Sequence, residues 1–193
     1  MVLLVRMVQN YVRKPVDLGF KNYPSYDGCD HTQGGRGHKE QKMRIRKART
    51  DEGPILSGIA LRSKAYWGYD KDFIEACKED LTISEQKIEK NHVYVLEDAS
   101  RIIGFYCLAA KGKTGSLDFL FIEPDFIGKG YGRILWESIM QTAREIGLDE
   151  FTIDSDPHAE EFYKKMGAVR IGEVGSTVFR GRKLPLMKVS VSK

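Results

Sequence analysis

Residues 117–122 are apolar except for Asp118, and Pro124 follows, a residue that cannot extend a central strand; the pattern predicts a buried strand ending there. Past a glycine-rich turn at 128–132, Leu135, Ile139, Ala143 and Ile146 recur at helical spacing, so a long amphipathic helix is predicted from Arg133. Arg144 falls in its last turn and Gly147 is its C-cap. Upstream, residues 50–64 read as a first helix carrying Ile55, Leu56, Ile59 and Leu61. Residues 73–80 and 83–90 read as a second helix in two pieces. Residues 93–97 and 102–110 are strands of a meander turned at 98–101 and 111–113, and Thr114 opens the strand described first. Downstream come a short strand at 150–154, a helix at 158–166 stopped by Gly167, and two strands at 168–173 and 184–191 around a polar loop at 175–182. The order α, α, β-meander, β-α, β-α, β, β predicts a mixed α/β sheet with helices packed on its faces.

The first 42 residues do not share this patterning and end in the polar, glycine-rich run DGCDHTQGGRGHKEQK. They are expected to be a loosely ordered N-terminal extension, 1–42, with the working domain at 43–193 starting on the alternating residues after Met43. Cys29, His31 and His38 do not complete a metal site, because no second cysteine pair closes it, so no metal is expected. Three widely spaced cysteines without a CxxC pair suit reduced thiols and a cytoplasmic protein. Arg6 interrupts the apolar start, no long apolar core follows it, and no run reaches membrane-span length; neither a signal peptide nor a membrane partner is expected. With 193 residues and 41% of them hydrophobic, one ordinary domain with a real core is possible. The formal charge of +4 is enough to favour an anionic ligand but too small to argue for nucleic acid.

Candidate chemistry concentrates in Gly128-Lys129-Gly130-Tyr131-Gly132-Arg133. Glycines let backbone N–H groups approach a ligand, and the following helix adds the positive end of its dipole, a combination that binds phosphate. Arg133 opposes the dipole of its own helix, which a nearby anion would explain. The dinucleotide fingerprint fails because Arg133 stands where its last glycine belongs. The nucleoside-triphosphate loop fails at Gly112-Lys113-Thr114 because Cys107 replaces the first glycine.

The segment Ile122-Glu123-Pro124 … Ile127-Gly128-Lys129-Gly130-Tyr131-Gly132-Arg133 resembles the acyl-CoA pyrophosphate loop of the GNAT acetyltransferase superfamily, with Ile127 in place of the usual polar first residue. A second stretch, Asp156-Pro157-His158-Ala159-Glu160-Glu161-Phe162-Tyr163 through Gly167-Ala168, is similar to the family's Asn-x-x-Ala-x-x-Phe-Tyr-x-x-x-Gly-Phe segment. Asp156 takes the asparagine position and Ala168 the final aromatic one. The element order over 43–193 also matches the GNAT fold, a twisted and mostly antiparallel sheet flanked by helices.

The resemblance implies acetyl-CoA as co-substrate and direct acetyl transfer to a primary amine of a small molecule or peptide. The cofactor arm is expected along Leu120, Phe121 and Ile122, whose backbone N–H groups would also meet the oxyanion. The pyrophosphate is expected on residues 128–133, with Asp156 and Phe162 completing the cofactor contacts. Tyr163 matches the family's acid that protonates the leaving thiolate; the alternative for it is a core tyrosine. Asp118 is the first candidate base, as a carboxylate expected to be buried in an apolar strand with a raised pKa. Glu123 is the second, the alternative for it being a place in solvent beside Pro124. The aromatic loop Trp67-Gly68-Tyr69 either lines a pocket or packs under a loop, and with residues 175–182 it is expected to shape the acceptor side. A homodimer is the default assembly. The reading from another class is a non-catalytic acyl-CoA-binding regulatory module.

Overall fold

The computed structural model describes residues 43–191. The expectations for residues 1–42, including Cys29, His31 and His38, lie outside the described residues. Among these residues seven strands form one sheet in the order β1-β2-β3-β4-β5-β7-β6. They are β1 (Arg44–Lys47), β2 (His92–Asp98), β3 (Arg101–Lys111), β4 (Thr114–Ile122), β5 (Glu150–Asp154), β6 (Val169–Gly175) and β7 (Lys183–Ser190). Every neighbouring pair is antiparallel except β4 with β5.

The helices are α1 (Gly53–Ala65), α2 (Lys71–Ala76), α3 (Glu85–Lys90), α4 (Tyr131–Glu145) and α5 (Glu160–Lys165). Local chemistry sets their ends. Pro54 opens α1 after a single 3-10 turn, Thr50–Glu52. Asp70 accepts from the Phe73 N–H at 2.7 Å and Ser84 from the Lys87 N–H at 3.2 Å, capping α2 and α3. The Asp70 cap starts α2 two residues before the apolar pattern, and that helix then ends early at Ala76; the Ser84 cap starts α3 two residues after its pattern.

Each face of the sheet carries a core. On one, α4 contributes Leu135, Trp136 and Ile139 against Tyr106, Leu108, Phe151 and Met187. On the other, Leu56, Ile59 and Ala60 of α1 meet Val93, Val95, Phe105 and Phe119. The Tyr106 hydroxyl, 3.0 Å from Ser138 Oγ and 2.9 Å from Thr142 Oγ1, locks α4 across β3. At the other end, buried Glu52 and Glu97 share the Arg46 guanidinium at 2.7 and 3.1 Å, tying β1, β2 and the start of α1 together.

One irregularity positions the site. Cys107 pairs with Phe119 and Leu108 with Leu117, so Asp118 is an extra residue bulged out of β4. The bulge resets the alternation: Leu117 enters one core and Phe119 the other. Asp118 is therefore exposed, which corrects its expected burial in the strand.

Candidate active site

β4 and β5 pair only at Thr114–Glu150, Gly115–Phe151 and Ser116–Thr152. Beyond the bulge they part, and the edge of β4 from Leu117 to Ile122 that faces β5 has no ladder partner among the described residues. Backbone groups at such an edge need a partner, so it is ready to hold an extended ligand. A groove of about 630 Å³ opens in the gap, and Leu120, Phe121 and Ile122 form part of its wall.

The glycine loop borders the same groove. Gly128 and Gly130 hold φ of +79° and +91°, a region other residues rarely adopt, and Gly130 caps α4. The helix thus begins at Tyr131, two residues earlier than its apolar period predicts. Arg133 N–H reaches the Gly130 carbonyl at 3.0 Å, while the amides of Gly128, Gly130, Tyr131 and Gly132 have no backbone partner among the described residues. These are the orphan donors of a helix start, with the dipole behind them. Gly128, Gly130, Gly132 and Arg133 line the groove. The side chains of Lys129 and Tyr131 turn elsewhere: the Lys129 ammonium lies 5.4 Å from the Phe126 ring centre, and the Tyr131 ring meets Phe126 edge-on at 5.6 Å.

The two expected base candidates separate. Asp118 lines the groove at the bulge and accepts from Ser116 Oγ at 2.6 Å. Extending the Ser116–Thr152 register by two residues sets Asp154, the last residue of β5, on the opposite lip. Asp154 is exposed, but the groove wall takes part of its hydration, and this partial desolvation, with the Asp118 charge adding to it, raises its carboxyl above the ordinary range. The sequence marked Asp154 only as the end of a strand. Glu123, the second candidate, is neither in solvent nor free: it is buried and held by Arg62 through Nε at 3.0 Å and Nη2 at 2.6 Å. A carboxylate committed to a two-point ion pair and outside the groove is a poor proton acceptor.

Tyr163, on α5, is 7% exposed, packs 5.9 Å from the Trp136 ring and 5.3 Å from the Phe162 ring, and reaches the groove wall. Its hydroxyl has no hydrogen-bond partner among the described residues and is not sealed from the groove. Burial, with a contribution from the Asp156 charge, holds this phenol well above its ordinary pKa, so it is protonated at every physiological pH.

Asp156 anchors the far wall. Its Oδ2 accepts from Lys64 Nζ at 2.5 Å and its two oxygens from the Tyr69 hydroxyl at 3.0 and 3.1 Å, while the His158 N–H donates to Oδ1 at 2.9 Å. Arg182 Nη2 donates to the Tyr69 oxygen at 2.7 Å and lies 3.7 Å from Asp156 Oδ2. Burial opposes ionisation of Asp156, but Lys64 and the hydrogen bonds outweigh it and keep the carboxyl below its usual range. Tyr69, Phe73 and Phe179 stack at 4.2 and 4.4 Å, and Trp67 stacks on His158 at 5.4 Å. Of these ring residues, Trp67, Phe73, His158 and Phe179 face the groove, so the aromatic loop serves in lining as well as packing. Lys64 and Arg182 could be placed here only once folding joined α1 to the β6–β7 loop.

Cys77 and Cys107 are buried free thiols; burial pushes Cys107 up to about 12 and raises Cys77, so neither is a ready nucleophile. Among the described residues no group of three or more His, Cys, Asp or Glu side chains could hold a metal ion. No helix among them is long and apolar enough to cross a membrane.

An unpaired strand edge, a cradle of free amides at a helix start and a neutral phenol on one groove are the features that the sequence resemblance implies. The family model described as an acetyltransferase (GNAT) domain matches residues 50–190. The chain belongs to the GNAT acetyltransferase family. It is an N-acetyltransferase by that membership, and acetyl-CoA is the family's acetyl donor. Similar proteins include the 5-NmdU N-acetyltransferase of Pseudomonas phage PaMx11, 30% identical over 67% of this chain and 89% of that one. Another is the peptidyl-lysine N-acetyltransferase YjaB of Salmonella typhimurium, 32% identical over 65% and 82%. Among solved structures, the PaiA N-acetyltransferase of Thermoplasma acidophilum in complex with coenzyme A has a TM-score of 0.61 at 19% identity, covering 77% of this chain and 99% of that one. The fold of this GNAT chain is thus the one seen there.

Proposed function

We propose that the groove binds acetyl-CoA along the free edge of β4 and the amides of the glycine loop, and transfers its acetyl group to a primary amine. The observation that carries the reading is the meeting of those two sets of unpaired N–H donors on one groove. The residues fit the group. Gly128 and Gly130 keep side chains away from the loop, the orphan amides and Arg133 match a pyrophosphate, and the parted strand offers a ladder edge to an amide-bearing arm.

When bound, acetyl-CoA supplies an acetyl group activated as a thioester. The rest falls to the chain. Unpaired amides near 120–122 donate to the carbonyl oxygen as negative charge develops there. Asp118 and Asp154, facing each other across the lips, attract the acceptor ammonium and take the proton that must leave it before its lone pair can attack; the nitrogen's second proton passes to solvent once the C–N bond has formed. Tyr163 donates its hydroxyl proton to the sulfur as the C–S bond breaks, and regains one from solvent. Side chains of Trp67 and of the 175–182 loop border the acceptor side. The two relatives above are named for unlike acceptors, a lysine side chain in a protein and 5-NmdU, so the family narrows the acceptor to an amine. We assign the acetyltransferase domain to residues 43–193 and its setting to the cytoplasm, in keeping with two buried free thiols.

The test is calorimetric titration with acetyl-CoA of the purified protein and of its Arg133→Glu variant, then thiol release with a panel that includes a lysine-containing peptide. Saturable binding, weakened by about tenfold or more in the variant, is expected for a charge reversal beside a phosphate. No binding by the parent protein overturns the reading.

A further inference from the structure

Resting on the acetyltransferase reading, we infer that Asp156 is a positioning residue of the acceptor wall, a carboxylate clamp that joins three separate chain segments over the groove. Its family position is usually asparagine, which donates as well as accepts. Here every partner within reach is a donor: Lys64 Nζ at the end of α1, the Tyr69 hydroxyl in the loop that follows, and the His158 N–H. An ionised carboxylate accepts from all of them, whereas an amide would aim one of its own N–H groups at a donor. The replacement is therefore matched to its surroundings, and both carboxylate oxygens are taken before any ligand arrives, so Asp156 is assigned to the acceptor wall in place of the cofactor contact expected from the resemblance.

The clamp reaches further through Tyr69. Arg182 of the β6–β7 loop donates to the Tyr69 oxygen and stands over the rings of Tyr69 and Phe73 at 5.0 and 4.7 Å. Lys64 faces the same two rings from 5.2 and 5.9 Å. Asp156 thereby fixes the end of α1, the aromatic loop and the β6–β7 loop at one point. The side chains of Lys64, Asp156 and Arg182 are only 16%, 16% and 22% exposed, so these contacts are weakly screened. Trp67, Phe73 and Phe179, all on the groove, are set by this junction. The glycine loop is not part of it.

The test uses the full chain with Asp156→Asn and the double variant Lys64→Met/Asp156→Asn. Hydrogen exchange followed by mass spectrometry should speed up in residues 66–72 and 176–182 of Asp156→Asn, with residues 127–145 unchanged. Acetyl-CoA affinity should stay within about twofold of the parent, while KM for an accepted amine, tried first with a lysine-containing peptide, rises about tenfold or more with little change in kcat; loss of one buried charge-assisted hydrogen bond predicts that size. The double variant should be no worse than Asp156→Asn alone, since it leaves no unpaired ammonium. Unchanged exchange in both segments, or loss of acetyl-CoA binding on Asp156→Asn, overturns the clamp. Failure of the parent itself to bind acetyl-CoA overturns the acetyltransferase reading instead, and the exchange result still decides whether the clamp exists.

Discussion

Gly132 lies directly against the ring of Phe162: a Cβ at position 132 would stand 3.2 Å from Phe162 Cε2. The glycine loop and the second motif are thus one packed unit, and the third glycine of the loop is there for a neighbour in the protein as much as for a ligand. Gly132→Ala should push the Phe162 ring toward the groove, on which both residues lie, and weaken acetyl-CoA binding. An overpacked contact costs about 1–3 kcal/mol, offset in part by better helix propensity. Adding Phe162→Leu should recover affinity lost by Gly132→Ala. Strict additivity of the two changes in calorimetry would show that this contact is not responsible.

Asp118 and Asp154 give a pH prediction. The Asp154 carboxyl is raised above its usual range by partial desolvation at the groove and by the Asp118 charge, so it gains a proton earlier than a free carboxyl as pH falls. The rate should fall on acidification through that raised value. Asp118→Asn removes the repulsion and should move this limb of the kcat/KM profile to lower pH. Asp154→Asn should abolish the limb and lower kcat/KM by about a hundredfold, the common worth of a positioned base. A limb at the same pH in Asp118→Asn would show that the two carboxylates do not interact.

Six strands of the sheet, the long helix and both motifs were legible in the sequence because each rests on local signals: apolar periodicity, Pro124, the glycines and the caps; β1 was read only as the start of the domain. Helix boundaries moved where a cap outranked periodicity, as at Gly130 and Asp70. Asp118 lies on the groove but exposed, not buried in the strand as expected. A bulge is a property of two strands in register, and Asp118 reads as buried until Cys107 is seen opposite Phe119. Glu123 likewise found its partner sixty-one residues away in Arg62. Lys64, Arg182 and Asp154 carried no signal of their own; only the meeting of distant segments at Asp156 and at the strand gap gives them a setting.

Tyr163 permits a clean substitution. Tyr163→Phe keeps the ring against Trp136 and Phe162 and removes a hydroxyl that has no partner among the described residues. Thermal stability should hold while kcat falls about a hundredfold, the usual worth of a general acid. Because burial raises the phenol, the parent should show no alkaline decline from this group across the physiological range. Equal kcat in Tyr163→Phe and the parent would reduce Tyr163 to a core residue.

Acid stability should be governed at the opposite end of the sheet. Hydrogen bonds from Arg46, then Arg44, overcome the burial of Glu97 and hold its carboxyl at about 2, and Arg46 lowers Glu52 in the same way. A carboxyl depressed in the folded state binds protons more readily once the chain unfolds. Its stabilisation is therefore complete above the ordinary carboxylate range, near pH 4–5, and is lost as pH falls toward about 2. The melting temperature should be flat from neutrality to about pH 5 on this account and then drop. Glu97→Gln should lower it at neutral pH, because Arg46 and Arg44 lose a charged partner, and should flatten the acid decline. None of Arg44, Arg46, Glu52 and Glu97 lines the groove, and β3 lies between β2 and the β4 edge that does, so acetyl-CoA affinity at neutral pH should be unchanged in the same variant. An acid decline as steep in Glu97→Gln as in the parent would place the acid-sensitive contacts elsewhere.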